Sequence, residues 1–387
     1  MKKRIAVLAA GLLLAPGAGF SPAEGYVLNR TIAAPDPHNA GVPFCPLLNH
    51  FDVTSAGSID RRWDTRLGSN ILTTGGVAEV DGMIGESFNV WTQVAGSGLT
   101  VGALGPLGQV SGGTNCTSGD GLNSICFAEP AAFASGVLAF TEVLAADVVG
   151  QTAGAKTSTF VGQILDADTM VNPDPTISFA TPAALGANPG AFDLESILIH
   201  ELGHFLGFSH SLVARAMMYP FAPPAGTFTG ERPTLNAPDG PLGDDDRAGL
   251  RVMYPSGAAF GTIRGRILPA NPLSLANLAA TSAGQSVTGY YGTHVVAVDA
   301  DTGQVAAGTL GGYSCSAALQ ISVFDGSYEI GGLPLGHRYK VYVEPFDGPV
   351  PPAEVAAPLD TQPCRAGTPN NCFPPALNVN FTTKVRP

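Results

Sequence analysis

Between Asp193 and Pro220 the chain runs D-L-E-S-I-L-I-H-E-L-G-H-F-L-G-F-S-H-S-L-V-A-R-A-M-M-Y-P. His200 and His204 are four apart, and four helical steps of about 100° return to nearly the same azimuth. Both imidazoles therefore leave one helix face, one turn apart, spaced as a clamp for a metal ion. Glu201 follows His200 too closely to share that ion, and stands where a general base could reach a water that the ion holds. Gly207 tolerates positive φ, so the helix can stop after His204 and the chain can swing His210 back to the same point. Three neutral imidazoles with a fourth position open are the donor set of a catalytic zinc rather than a structural one. A bare H-E-x-x-H also describes an ordinary helix with two partly buried histidines. The longer H-E-x-x-H-x-x-G-x-x-H has a chance occurrence on the order of 10⁻⁵ in a chain of this composition.

Elements must position these groups. Asp193 is a good N-cap and Glu195 falls in the first turn, where the helix dipole favours it. Ile197, Leu198, Ile199, Leu202, Phe205 and Leu206 make the helix apolar nearly all round, so it is expected at the centre of a core. Upstream, the pattern predicts a strand over 61–72. A helix is expected over 79–94, with Val80, Met83, Ile84, Ser87, Val90, Trp91 and Val94 at helical spacing, and strands over 99–104, 137–141 and 160–165. Strand, helix, strands and then the histidine helix describe an α/β (α+β) layered domain. From 257 onward, 263–267, 293–299 and 339–343 read as strands with turns at Thr302-Gly303 and Asp325-Gly326, an all-β unit to which 378–382 adds a last strand. The expected organisation is 1–22 signal peptide, 23–58 arm or short pro-segment, 59–256 catalytic domain and 257–387 β-sandwich.

The extended zinc motif, followed by Ala216-Met217-Met218-Tyr219-Pro220, resembles the metzincin metalloproteases, whose signature couples that motif to a methionine-containing turn. Ser211, directly after the third histidine, points to the matrixin type, and the run from Leu242 to Leu250 is similar to the start of the last matrixin helix. The resemblance implies one catalytic Zn²⁺ on His200, His204 and His210, an activating role for Glu201, Met218 as an apolar floor beneath the metal, and a protein or peptide substrate. It also implies that Tyr219 and the loop over 221–241 shape the pocket beyond the scissile bond. Asp166, Asp168, Asn172 and Asp174 could wrap a structural Ca²⁺, as matrixins often carry one; turn formation is the competing reading. Cys45 precedes Arg62-Trp63 much as a latency thiol precedes the mature N-terminus in matrixins, although the surrounding arginine, glycine and aspartate are absent, and a disulfide or free thiol is the alternative. The segment Gly326-Ser327-Tyr328-Glu329-Ile330 with Gly332-Leu333-Pro334-Leu335-Gly336 resembles the carboxypeptidase-regulatory, transthyretin-like β-sandwich.

A net charge of −12 with no basic patch beyond Lys2-Lys3-Arg4 argues against nucleic acid as a partner. The apolar run after those cations is shorter than the ~20 residues of a membrane span, so it reads as a secretory signal. No later run is long enough to cross a bilayer. The expectation is an exported monomer, extracellular or periplasmic. Six cysteines in an exported chain favour disulfides; Cys116 with Cys126 and Cys364 with Cys372 bracket short loops, leaving Cys45 and Cys315 open. The function so read is a secreted zinc endopeptidase that hydrolyses peptides through a Glu-assisted zinc-bound water. The alternatives are a surface or matrix binding protein with a vestigial peptidase domain, or a zinc hydrolase of a non-protein substrate.

Overall fold

The computed structural model describes residues 28–31, 47–53, 59–107, 116–129, 133–228, 232–269, 289–290, 293–311, 314–316, 321–323, 325–344 and 384–386, with the dipeptides 7–8 and 13–14. Strand β1 (Ile59–Trp63) buries Ile59, Arg61 and Trp63 at alternate positions, the period of a pleated strand. It ends at Asp64 because that carboxylate accepts from the Arg66 N–H two residues on, an Asx-type turn. The strand expected over 61–72 is therefore split. Ile71–Leu72 instead joins Phe179–Ala180 and Phe192–Asp193 in a small parallel patch. Helix α1 (Gly76–Thr92) starts earlier than its apolar pattern because Glu79 reaches back to the N–H groups of Thr74 and Gly75 and closes the entry turn.

Strands β2 (Val101–Pro106), β3 (Ser124–Cys126), β4 (Ala139–Ala145) and β5 (Ile164–Val171) complete a sheet of order β4-β5-β3-β1-β2. All neighbours are parallel except β4 against β5. The dipeptide Val7–Leu8 pairs antiparallel on the far edge of β4. Beneath the sheet lies α2 (Leu194–Leu206), every residue of which is buried. The indole N–H of Trp91 in α1 donates to its Ile199 carbonyl at 2.9 Å.

The strands expected over 137–141 and 160–165 are displaced to β4 and β5. This moves the start of the acidic run, Asp166 and Asp168, out of a loop and into the sheet, where pairing with β3 and β4 outweighs the turn preference of aspartate. Cys116 and Cys126 form a disulfide. Cys45, Cys364, Cys372 and the strand expected over 378–382 lie outside the described residues, as does most of 1–22. Cys315 falls in the short strand Ser314–Ser316.

Helix α3 (Asp244–Met253) leads to an all-β remainder among the described residues. It comprises β6 (Gly261–Arg266), β7 (Thr293–Asp299), β8 (Val305–Gly311), β9 (Ser327–Leu333) and β10 (Tyr339–Glu344). Strands β8-β7-β10 form one antiparallel sheet with Lys384–Arg386 beside β10, and β6 pairs with β9. Apolar packing is continuous across 256/257: Ala248, Leu250 and Met253 share one cluster with Val295, Ala297, Ala307, Ile330 and Leu333. At Gly332 (φ +70°) an added Cβ would stand 2.2 Å from the Ala248 carbonyl, so only glycine admits this approach of β9 to α3.

On the face of the sheet beneath the Cys116–Cys126 loop, Asp168 is 1% exposed and neither of its oxygens has a hydrogen-bond partner of good geometry. Burial first, then the charges of Asp166, Asp120 and Glu142, push its carboxyl up to about 9, the Ser124 N–H offsetting little. Burial likewise raises Asp166 to about 6 against the Gly119 N–H that it accepts. An aspartate whose folded pKa lies above its unfolded value near 3.9 stabilises the fold below about pH 4 and loses that contribution as pH rises to the folded pKa. The contribution of Asp168 to stability should therefore fall as pH rises above about 4, with a slope of at most ~1.4 kcal/mol per pH unit for its retained proton. Asp168→Asn should flatten that fall and be the more stable protein at pH 8, as urea unfolding across the pH series would show; an unchanged slope would refute the assignment.

Candidate metal centre

Helix α2 begins because Asp193 accepts the Glu195 N–H at 3.1 Å, and Arg232 bridges the carboxylates of Asp193 and Glu195. It ends because Gly207 turns left-handed at φ 111°. A Cβ there would meet the Asn49 carbonyl at 2.2 Å, so both conformation and space demand glycine. The Tyr254 hydroxyl donates to the Leu206 carbonyl at 2.7 Å, satisfying one of the open acceptors at this helix end.

The turn brings His210 back as the spacing requires. Ligand nitrogens of His200, His204 and His210 lie within 4.8 Å of one another, and each residue is 1% exposed. The Nδ1 of His200 is 2.7 Å from the Met217 carbonyl and that of His204 is 2.9 Å from the Phe208 carbonyl. A carbonyl only accepts, so both protons sit on Nδ1 and both Nε2 atoms present lone pairs. Those atoms are 3.1 Å apart. Two lone pairs facing at that distance repel, and a cation accepting both removes the conflict, so the donor set fits Zn²⁺. Burial, then the neighbouring His204, holds His200 well below the usual imidazole range, and burial lowers His204 to about 4 despite the Phe208 carbonyl. Both are thus neutral ligands at neutral pH. Glu201, between them in sequence, is fully buried, and its Oε2 accepts from the Thr141 hydroxyl of β4 at 2.9 Å.

Met218 is fully buried against the same helix. A Cβ at Gly203 would stand 2.0 Å from Met218 Sδ and 3.0 Å from the Trp91 ring, so the glycine between the ligands is what lets the thioether lie beneath them. Asp246 at the head of α3 fixes the turn: its carboxylate accepts from the N–H groups of Met217 at 2.7 Å, Met218 at 3.2 Å and Gly243 at 2.8 Å. Its neighbour Asp245 accepts from the Ser211 hydroxyl at 2.8 Å and from the Gly308 N–H of β8 at 2.9 Å, joining the loop after His210 to the C-terminal sheet. Sequence reasoning missed Asp245, Asp246, Gly203 and Thr141; three acidic residues opening a helix suit its dipole whether or not they hold a turn.

Tyr219 packs with Phe221, Leu212 and Leu310, beside the expected pocket loop. The four residues expected to wrap a calcium take different partners. Asp166 and Asp168 lie in β5 under the disulfide loop, whereas Asn172 and Asp174 bond each other, Val137 and Thr176, and line a surface groove of about 500 Å³. Among the described residues the converging donor groups are the three histidines and the Asp64, Cys126 and Glu129 group. In the latter Cys126 is committed to its disulfide and Arg66 pairs with both carboxylates. Two further backbone pairings occur: Val7–Leu8 runs antiparallel on β4, and Leu13–Leu14 runs parallel to Phe221–Ala222.

Together these features bring three histidines that could hold a metal ion onto one H-E-x-x-H helix and its following loop, beneath a mixed sheet. Residues 140–254 match the peptidase family described as Matrixin. Metalloendoproteinase 1 of Glycine max is 42% identical over 64 residues, 16% of this chain and 17% of that protein. Metalloendoproteinase 2-MMP of Arabidopsis thaliana is 37% identical over 70 residues, covering 18% and 16%. The hatching enzyme of Paracentrotus lividus is 37% identical over 70 residues, covering 18% and 10%. The chain thus spans less than a fifth of the length of these curated relatives, and the matches support a matrixin-type metalloprotease.

The same substitution at two glycines should have opposite effects. Gly203→Ala forces Met218 off the helix, and overpacking of this kind costs about 1–3 kcal/mol. Zinc content after dialysis should fall with the melting temperature. Gly82→Ala, exposed on α1 with open space around it, should stabilise by roughly 0.5–1 kcal/mol and leave zinc content unchanged. Full zinc retention by Gly203→Ala, measured by metal analysis, would contradict the role given to the close approach.

Proposed function

We propose that this chain is a secreted zinc-dependent endopeptidase whose proton acceptor is Glu201. The observation that carries the reading is the convergence of three buried imidazoles, two with Nδ1 anchored to backbone carbonyls, with the buried carboxylate of Glu201 on the same helix. A bound Zn²⁺ supplies Lewis acidity, polarising a carbonyl and acidifying water toward a pKa of about 7. His200, His204 and His210 would hold that ion, with the Met218 side chain packed against the helix at Gly203 between the first two. Glu201 accepts the proton of the attacking water and returns it to the leaving amine. An extended peptide suits the site, because β4 has an edge able to accept an antiparallel strand and Phe221–Ala222 one able to accept a parallel strand, as Val7–Leu8 and Leu13–Leu14 do. No helix among the described residues is long and apolar enough to cross a membrane.

Purified protein should cleave an unfolded protein substrate and stop when the metal is chelated. Glu201→Ala removes the acceptor and none of the ligands, so zinc content and fold should persist while hydrolysis falls by about 10²–10⁴-fold or more. Hydrolysis of esters or glycosides but not peptides would favour a different zinc hydrolase. Bound zinc with no turnover of any substrate would favour a binding protein with a vestigial centre.

A further inference from the structure

The inner face of β4 carries one residue that packing alone does not call for. Ala139, Thr141 and Val143 point toward α2 at alternate positions, and Ala139 and Val143 belong with Ala167 and Val171 of β5 to the apolar core. Valine would fill the volume of Thr141 without a polar atom, and a hydroxyl buried in such a layer is costly unless bonded. Thr141 is fully buried and directly opposite Thr169 in the antiparallel register, with their hydroxyl oxygens 2.9 Å apart. Its Oγ1 is also 2.9 Å from Glu201 Oε2 and 3.1 Å from the Glu201 carbonyl.

A hydroxyl has one proton to give. The carboxylate and the carbonyl only accept, so the Thr141 proton goes to one of them, and the charged oxygen makes the stronger bond. The Thr169 proton is then directed at Thr141. From these contacts we infer that Thr141, backed by Thr169, is a positioning residue for the general base: a hydroxyl chain running Thr169 to Thr141 to Glu201 commits Oε2 to the edge strand and assigns proton transfer to Oε1. Each donor in the chain is polarised by the one behind it, and the whole is shielded from water. The strand that holds the base is also the strand on whose outer edge the extended peptide would pair, so one rigid element sets the register of both.

This inference rests on the reading of Glu201 as proton acceptor. Thr141→Val keeps the shape and removes the hydroxyl. It should lower kcat about 10- to 100-fold, the range expected for losing one charge-assisted bond to a reacting group, with KM within twofold and one zinc per chain. Thr141→Ser, which retains the hydroxyl, should recover most of kcat. Thr169→Val, removing only the far donor, should lower kcat severalfold. Crystals of the metal-free variants should show the Glu201 carboxylate displaced in Thr141→Val and in place in Thr141→Ser. A Thr141→Val protein with kcat within twofold of the parent overturns the proposal, as does an equal loss in the valine and serine variants, which would indicate packing alone. Should Thr141→Val fail to fold, an unchanged kcat in Thr169→Val overturns it. Glu201→Ala separates the two layers: if it is inactive while Thr141→Val is normal, only the positioning role fails, and if it is active the underlying reading fails as well.

Discussion

Two imidazole nitrogens, both presenting lone pairs, are held 3.1 Å apart inside the protein. Nothing in a helix produces that by itself, since free imidazoles would rotate or exchange tautomers to avoid it. The constraint is imposed by two backbone carbonyls, Met217 on one side and Phe208 on the other, each of which claims an Nδ1 proton. Much of the surrounding architecture exists to deliver those carbonyls. Gly207 turns left-handed so that Phe208 folds back over His204, and Asn29 from the N-terminal arm donates to the same Phe208 carbonyl at 3.0 Å. Asp246 gathers the N–H groups of Met217 and Met218 so that the Met217 carbonyl faces His200.

Helix α2 is thereby gripped along its length. Its start is tied by Arg232, its middle by the Trp91 indole and the Met218 thioether, and its end by Tyr254. Tyr254 also accepts the Phe51 N–H at 3.1 Å, so one phenol joins the helix end, the chain before the sheet and the close of α3. The C-terminal sheet belongs to this frame. Asp245 couples the Gly308 N–H to the Ser211 hydroxyl beside the third ligand, and the apolar core continues from α3 into β7 and β9. The β-rich half is therefore part of what supports the loop after His210.

The sheet separates two kinds of buried polarity. On the side facing α2, Thr141, Thr169 and Glu201 form a bonded set. On the other, both oxygens of Asp168 and one of Asp166 lack hydrogen-bond partners, and burial raises both carboxyls, Asp168 the further. Satisfied polar groups in a low-dielectric interior fix geometry, whereas unsatisfied ones cost stability and make it depend on pH.

The local periodicity of the sequence was enough to bring the three histidines together. His200 and His204 share a face because four residues make just over one turn, and Gly207 permits the reversal because it has no Cβ; both properties belong to single residues and their spacing. The helix over 79–94 and the histidine helix were readable for the same reason, whereas the methionine turn and the last helix came from the family resemblance. Strand limits were not: β1 stops at Asp64 through a hydrogen bond to Arg66, and β5 absorbs Asp166 and Asp168 because β3 and β4 flank them. Asp166 and Asp168 are thereby part of a strand, whereas Asn172 and Asp174 follow its end. Only the folded chain could join Thr141 to Glu201 across 60 positions, or Asp245 to Gly308 across 63. A hydrogen bond depends on where two backbones pass, and that is settled by the packing of the whole core, to which the residues in between contribute no local signal.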